Sequence, residues 1–240
     1  MQIGKLTFFA LVAWPLLGAA QMSELSRDQR SGNLNNGYTL APAETASVQG
    51  SAFLLPGWLP ASLQLNGGGA PLAVPLKYDI YHQELRAKRP QGDSVVVPLA
   101  RVKEFSFITT SPTRRFVCYP AATLPADAGG GCGEVLAQSP GVQLLKFQHK
   151  ELMKRVADTG GYASTNNVAT LEAQTTYYLR WPTDGHFTAV KSRRASLEQA
   201  LAGQPAALAA LKARKGSIGN ENELAAAVAA VAPLVAGAPK

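Results

Sequence analysis

A single change of hydrophobic period constrains this chain more than any other feature. Up to about Val190, apolar residues alternate with polar ones or gather in short runs between turns rich in glycine and proline. From Ser192 onward Ala, Leu, Lys and Glu dominate, and the apolar spacing becomes helical. Strands gathered ahead of helices argue against a βαβ arrangement, in which the two alternate. The expected fold is mainly β, α+β in class. It is an antiparallel meander sheet, barrel- or sandwich-like, with two to three short C-terminal helices packed on it.

Particular segments carry this expectation. Leu63 and Leu65 alternate with Gln64 and Asn66. Between residues 72 and 86, taken as one strand, Leu76, Tyr78 and Ile80 share a face while Lys77, Asp79 and Tyr81 share the other. Val95, Val96 and Val97 form a strand ended by Pro98, which cannot donate to a ladder. Phe105 and Phe107 alternate with Glu104 and Ser106, and segments 115–119, 133–138 and 142–147 follow as strands. Ser139-Pro140-Gly141 joins the last two as a hairpin. A final hairpin pairs 175–181 with 186–190, with Tyr177, Leu179 and Trp181 on its apolar face. Segment 156–173, polar and carrying Gly160-Gly161 and Asn166-Asn167, is expected to be a long loop, with a single helical turn over 150–156.

In the tail, Leu197 and Leu201 mark a first helix that Gly203 stops. Pro205 opens a second, with Leu208 and Leu211 on one face and Gly216 as its terminator. Asn220 followed by Glu223 forms a capping box for a third, with Leu224, Val228 and Val231 on one stripe and Pro233 at its end. The expected organisation is a leader over 1–20, an N-terminal arm over 21–48, a β domain over 49–191 and a helical segment over 192–240.

The first twenty residues speak to compartment. Lys5 precedes an apolar run from Leu6 to Leu17, and Gly18-Ala19-Ala20 supplies the small residues of a signal-peptide cleavage site. That run is short of the ~20 apolar residues of a membrane span, and no Cys follows it to take a lipid. Cleavage before Gln21 removes 20 of 240 residues and leaves an exported, soluble chain of 220. An oxidising compartment in turn favours a disulfide between the only two cysteines, Cys118 and Cys132. It would close a loop holding Pro120, Pro125 and Gly129-Gly130-Gly131, which reads as flexible. A metal site would need two further ligands nearby, and Cys132 as a nucleophile would need a His or Asn at a diagnostic spacing.

The order of segments resembles a type of secreted β-rich protein from Bacteroidota for which no activity is known. Carrying the likeness are Lys77-Tyr78-Asp79-Ile80-Tyr81 with Glu84-Leu85, then Gly133-Glu134-Val135-Leu136 with Val142-Gln143-Leu144-Leu145-Lys146, and Tyr177-Tyr178-Leu179. The resemblance implies an exported location and a β-rich fold, and it nominates no catalytic residue. The alanine-rich tail and the cysteine pair are not part of it.

Enzyme signatures are missing: no G-x-S-x-G, H-E-x-x-H, P-loop or G-x-G-x-x-G stands in the chain. His82, His149 and His186 lie in separate segments, so a metal or a Ser-His-Asp site would have to assemble in space; His186 is expected to be a turn residue. Lys77, Asp79 and Tyr81 form a polar-aromatic row, read either as the lining of a ligand cleft or, with more weight, as the solvent side of a sheet. Asp79 and Glu84, as a carboxylate pair for glycoside chemistry, would point to opposite faces of a continuous strand. Trp58 and Trp181 suit either a sugar platform or a lid on the core.

Formal net charge is +7, or +6 once Lys5 leaves with the leader. Its Lys and Arg residues come in scattered groups, which favours a solvated surface over a dedicated polyanion site. The expectation is therefore a non-catalytic envelope or extracellular protein without a cofactor, metal or transmembrane anchor, presenting a β surface to an envelope or extracellular partner. It would have at most weak attraction to anionic surfaces and no specific nucleic acid. The alternatives are a periplasmic hydrolase with a spatially assembled site, or a polyanion-binding protein whose affinity falls with salt.

Overall fold

A computed structural model describes residues 48–108, 113–153 and 169–235. The leader over 1–20, the arm up to residue 47 and the 156–168 part of the expected loop lie outside the described residues.

Among the described residues eleven strands form one sheet: β1 (Val48–Gln49), β2 (Leu59–Leu65), β3 (Leu72–Asp79), β4 (Glu84–Lys88), β5 (Ser94–Val97), β6 (Val102–Phe107), β7 (Arg114–Cys118), β8 (Cys132–Gln138), β9 (Gln143–Met153), β10 (Ala169–Arg180) and β11 (Phe187–Val190). Three helices follow, α1 (Arg194–Ala200), α2 (Pro205–Ala213) and α3 (Glu221–Val231). The strand order is β1-β10-β9-β8-β7-β6-β2-β3-β4-β5, with β11 also paired to β10. All these pairs are antiparallel except the short β1–β10 contact. Two meanders, β2–β5 and β6–β10, are thus joined where β6 pairs with β2. The sheet stays open rather than closing into a barrel.

The first meander is nevertheless curled. In the run β6-β2-β3-β4-β5, flat strands ~4.8 Å apart would place β5 about 19 Å from β6. Only Pro98 and a 3₁₀ turn over Leu99–Arg101 connect them, and at ~2 Å per residue such a turn cannot cover that distance. The run must bend toward itself. Its concave face carries Leu63, Leu76, Tyr78, Leu85, Val97, Phe105 and Phe107, buried together with Phe116 of the adjoining β7. Phe105 and Phe116, opposite one another in register, stack at 4.8 Å, with Tyr78 edge-on to both.

The β8–β11 region is covered on both faces. Adjacent residues point opposite ways along a strand, so Leu144 and Leu179 face the helices while Leu145, Phe147 and Tyr178 face the 119–131 loop. Against the first face pack Leu197, Leu211, Leu224, Val228 and Val231. Local chemistry sets the helix ends. Asn220 accepts the Glu223 amide at 2.9 Å, and the Glu223 carboxylate returns to the Gly219 amide at 2.7 Å, one residue earlier than a standard capping box. Arg194 donates to the carbonyls of Leu211, Arg214 and Gly216, satisfying the acceptors left open past α2. That helix ends at Ala213, three residues before Gly216.

Two expectations need correction. The strand read through residues 72–86 is a hairpin, reversed at Ile80 to Gln83 by an Asp79-capped turn with Gln83 at φ 57°. Segments 150–153 and 169–173 belong to β9 and β10, not to a helical turn or a loop. There the two strands form a ribbon partly exposed to solvent, so the segment shows loop-like polarity although β9 and β10 pair with each other along it.

Candidate functional site

The Lys77, Asp79 and Tyr81 row does not lie on an open sheet face. Phe53, 5% exposed, bridges to Asp79 and covers it. Above that ring sit the Lys77 ammonium at 3.8 Å from the centroid and the Arg86 guanidinium at 5.2 Å. Asp79 is fully buried, and its carboxylate accepts the amides of Tyr81 and His82 (3.1 and 2.8 Å), the His82 ring at 2.9 Å and Arg86 at 3.4 Å. Lys150 donates to the Ser51 and Phe53 carbonyls, and burial lowers its pKa despite the nearby Asp79 charge. Tyr81 is exposed, with its ring against His82.

Asp79 and Glu84 are register partners across the hairpin, so they share a face instead of opposing each other. Arg86 approaches both, at 3.4 and 3.9 Å. The arrangement ties the hairpin to the 51–55 segment. With Asp79 fully buried and held by Arg86, the pair does not have the open approach that glycoside chemistry needs.

The second assembly is a cleft of about 510 Å³ between the 119–131 loop and the β10–β11 hairpin, lined by Tyr119, Pro120, Thr123, Arg180, His186 and Phe187 with Asp184 and Gly185. Its geometry starts at the disulfide. Cys118 and Cys132 are bonded, opposite one another in register at the ends of β7 and β8. The loop they close is packed against its neighbours. Ala128 is buried beside Tyr178, and a Cβ on Gly129 or Gly130 would run into the His149 ring or the Gln83 amide. These glycines serve close approach to neighbouring elements. Two 3₁₀ turns, over Ala121–Thr123 and Ala126–Ala128, shape the rest.

Opposite the loop, β10 ends at Arg180, whose register partner is Phe187. The Arg180 guanidinium lies 5.0 Å from the Tyr119 ring centroid and 5.9 Å from that of Phe187. Tyr119 and Phe187 meet edge to face at 5.4 Å. Gln143 accepts from the Tyr119 hydroxyl at 3.3 Å and from Arg180 at 3.5 Å. Burial raises the Tyr119 pKa, offset in part by the charges of Arg180 and Arg115. At the hairpin tip, Asp184 accepts the His186 amide at 2.9 Å, leaving the exposed imidazole on the cleft wall.

The three histidines are not brought together. His82 meets Asp79 and His149 meets Glu151 at 3.1 Å, both away from the cleft that His186 lines. Among the described residues no group of three or more His, Cys, Asp or Glu is gathered as metal ligands would be. Many of the scattered cations are paired: Arg89 with Asp93, Arg114 with Glu134, Arg115 with Glu104 and Lys146 with Glu221. Trp181 donates to Thr188 at 3.0 Å and packs half-buried against the helix-covered core. No described helix is long and apolar enough to cross a membrane.

The sequence places Tyr119 only at the end of the 115–119 strand, where the disulfide loop begins, and His186 only as a turn residue. The cleft joins positions some sixty residues apart, and the one signal for it was the cysteine pair, which fixes the loop beside β8 and hence beside β9 and β10. Against protein-family models, curated proteins and solved structures, the chain finds no match.

Proposed function

We propose that the protein is an exported, non-catalytic binding protein that takes a small ligand into the cleft between the 119–131 loop and the β10–β11 hairpin. The observation carrying this reading is the convergence of Arg180, Tyr119, Phe187 and His186 on one concavity of about 510 Å³. Ligand sites typically combine an apolar lining of this size with a few polar groups that set orientation. Export is supported by the leader-like first twenty residues and by the Cys118–Cys132 bond, since such bonds persist in oxidising compartments.

Two measurements test it. In a bacterium expressing the full chain, the exported fraction should contain protein beginning at Gln21; full-length protein confined to the cytosol defeats the export half. In ¹H–¹⁵N spectra titrated with neutral, anionic and cationic ring compounds, shifts should gather on Tyr119, Thr123, Arg180 and His186. Shifts confined to other surfaces, or none, defeat the cleft half.

A further inference from the structure

We infer that the ligand of this cleft is a monoanionic carboxylate carried on a flat ring, and that Arg180 is the residue that binds the carboxylate. The inference rests on the cleft reading above and names the ligand class.

Arg180 differs in its ion pairing from four other arginines, although the Arg86 Nε and an Arg214 terminal nitrogen are likewise buried without a hydrogen-bond partner among the described residues. Arg86, Arg89, Arg114 and Arg115 each reach a carboxylate within the chain. Arg180 is half-buried yet pairs with no carboxylate among the described residues, and its buried Nε has no hydrogen-bond partner there. The one hydrogen bond of its side chain among the described residues, to Gln143 at 3.5 Å, is long and shares an acceptor with Tyr119. A buried donor left unmet is costly, and a guanidinium presents its donors in a planar fork that matches a carboxylate. The Tyr119 and Phe187 rings lie against the guanidinium, and since its Nε is closed off by protein, a ligand carboxylate would meet the terminal nitrogens on the cleft wall.

The surrounding groups narrow the class. Tyr119 and Phe187 supply aromatic surface for a flat body, and such rings prefer offset or edge-on partners. His186 adds a polar ring on the same wall. The cleft lining contains one guanidinium and one carboxylate, that of Asp184. A single fork beside an acidic residue suits one negative charge better than the two of a phosphate monoester. The Thr123 hydroxyl, another cleft donor, is already engaged with the Pro120 carbonyl at 2.8 Å.

Benzoate, benzamide and phenyl phosphate serve as probes on the full chain. Titrated against the Nε–Hε resonance of Arg180, benzoate should shift it and bind at least tenfold more tightly than benzamide or phenyl phosphate. Arg180→Lys keeps the charge but loses the fork, and should weaken benzoate at least tenfold. Benzamide binding in the cleft as tightly as benzoate overturns the carboxylate assignment while leaving the cleft as a ligand site. Tighter phenyl phosphate overturns the choice of a monoanion. If none of the probes moves a cleft resonance, the carboxylate assignment falls, and the broader ring-compound titration then decides the cleft reading separately. Should the lysine variant fail to fold, the benzoate–benzamide comparison on the unaltered chain decides.

Discussion

The curled β2–β6 run buries its apolar face largely against itself, whereas the β8–β11 region needs a separate cover on each side. The difference shows in which residues do the packing. A concave run must fill its own interior, and Tyr78, Phe105, Phe107 and Phe116 do so with large rings at 4.8 to 6.0 Å. Between the helices and the sheet, aliphatic side chains do the packing, with Leu, Val and Ala from α1–α3 among them. On the other face of β8–β10 the cover is an irregular loop held by a disulfide, and an irregular cover leaves a concavity at its edge. The candidate site lies at that edge, in the region whose packing is assembled from separate pieces.

Three perturbations test this contrast, from the largest expected effect to the smallest. Phe105→Ala removes the ring stacked on Phe116 and should cost ~3–5 kcal/mol, read from denaturant unfolding. A loss of about 1 kcal/mol or less would mean the aromatic stack does not hold the curled run. Replacing both Cys118 and Cys132 by Ala should cost ~3 kcal/mol in the chain-entropy account. Hydrogen exchange should then rise first in 119–131 and at the cleft, with β2–β5 protected; uniform loss would remove the idea that the loop is a separate cover.

The smallest effect concerns the contact between α3 and the sheet. Burial works to raise the Glu221 pKa, but hydrogen bonds with Lys146 and Tyr177 and the Lys146 charge outweigh it and hold it below the usual carboxylate range. Tyr177 is pushed up to about 12, first by burial and then by Glu221. With its folded pKa depressed, Glu221 contributes stability that is present above its unfolded pKa and lost as pH falls through the folded one. Glu221→Gln should flatten that acid-side decline and cost no more than about 1 kcal/mol at neutral pH. An unchanged acid limb would detach this carboxylate from the pinning of α3.

Much of the architecture was legible along the chain because periodicity and turn chemistry are local. Leu76 and Tyr78 fall on the buried face as their spacing requires, and Asn220 caps α3 as its neighbours require. The misreadings share one cause. Residues 150–153 and 169–173 look like loop because their pairing lies in the partner strand, not in their own composition. Asp79 looked solvent-facing because the Phe53 segment that covers it is no part of the hairpin. The site was still less visible, since nothing near Arg180 in sequence indicates that Tyr119 will sit beside it.

By itself, the order of residues determined that strands precede helices, where the turns and caps fall, and which two thiols had to meet if any did. Those are short-range consequences of backbone preference and of which faces avoid water. Tertiary structure alone decided that the sheet stays open, that one half curls upon itself, and that Arg180 ends between two rings without an acidic partner among the described residues. Such outcomes depend on the packing of elements remote along the chain, and no local spacing records that.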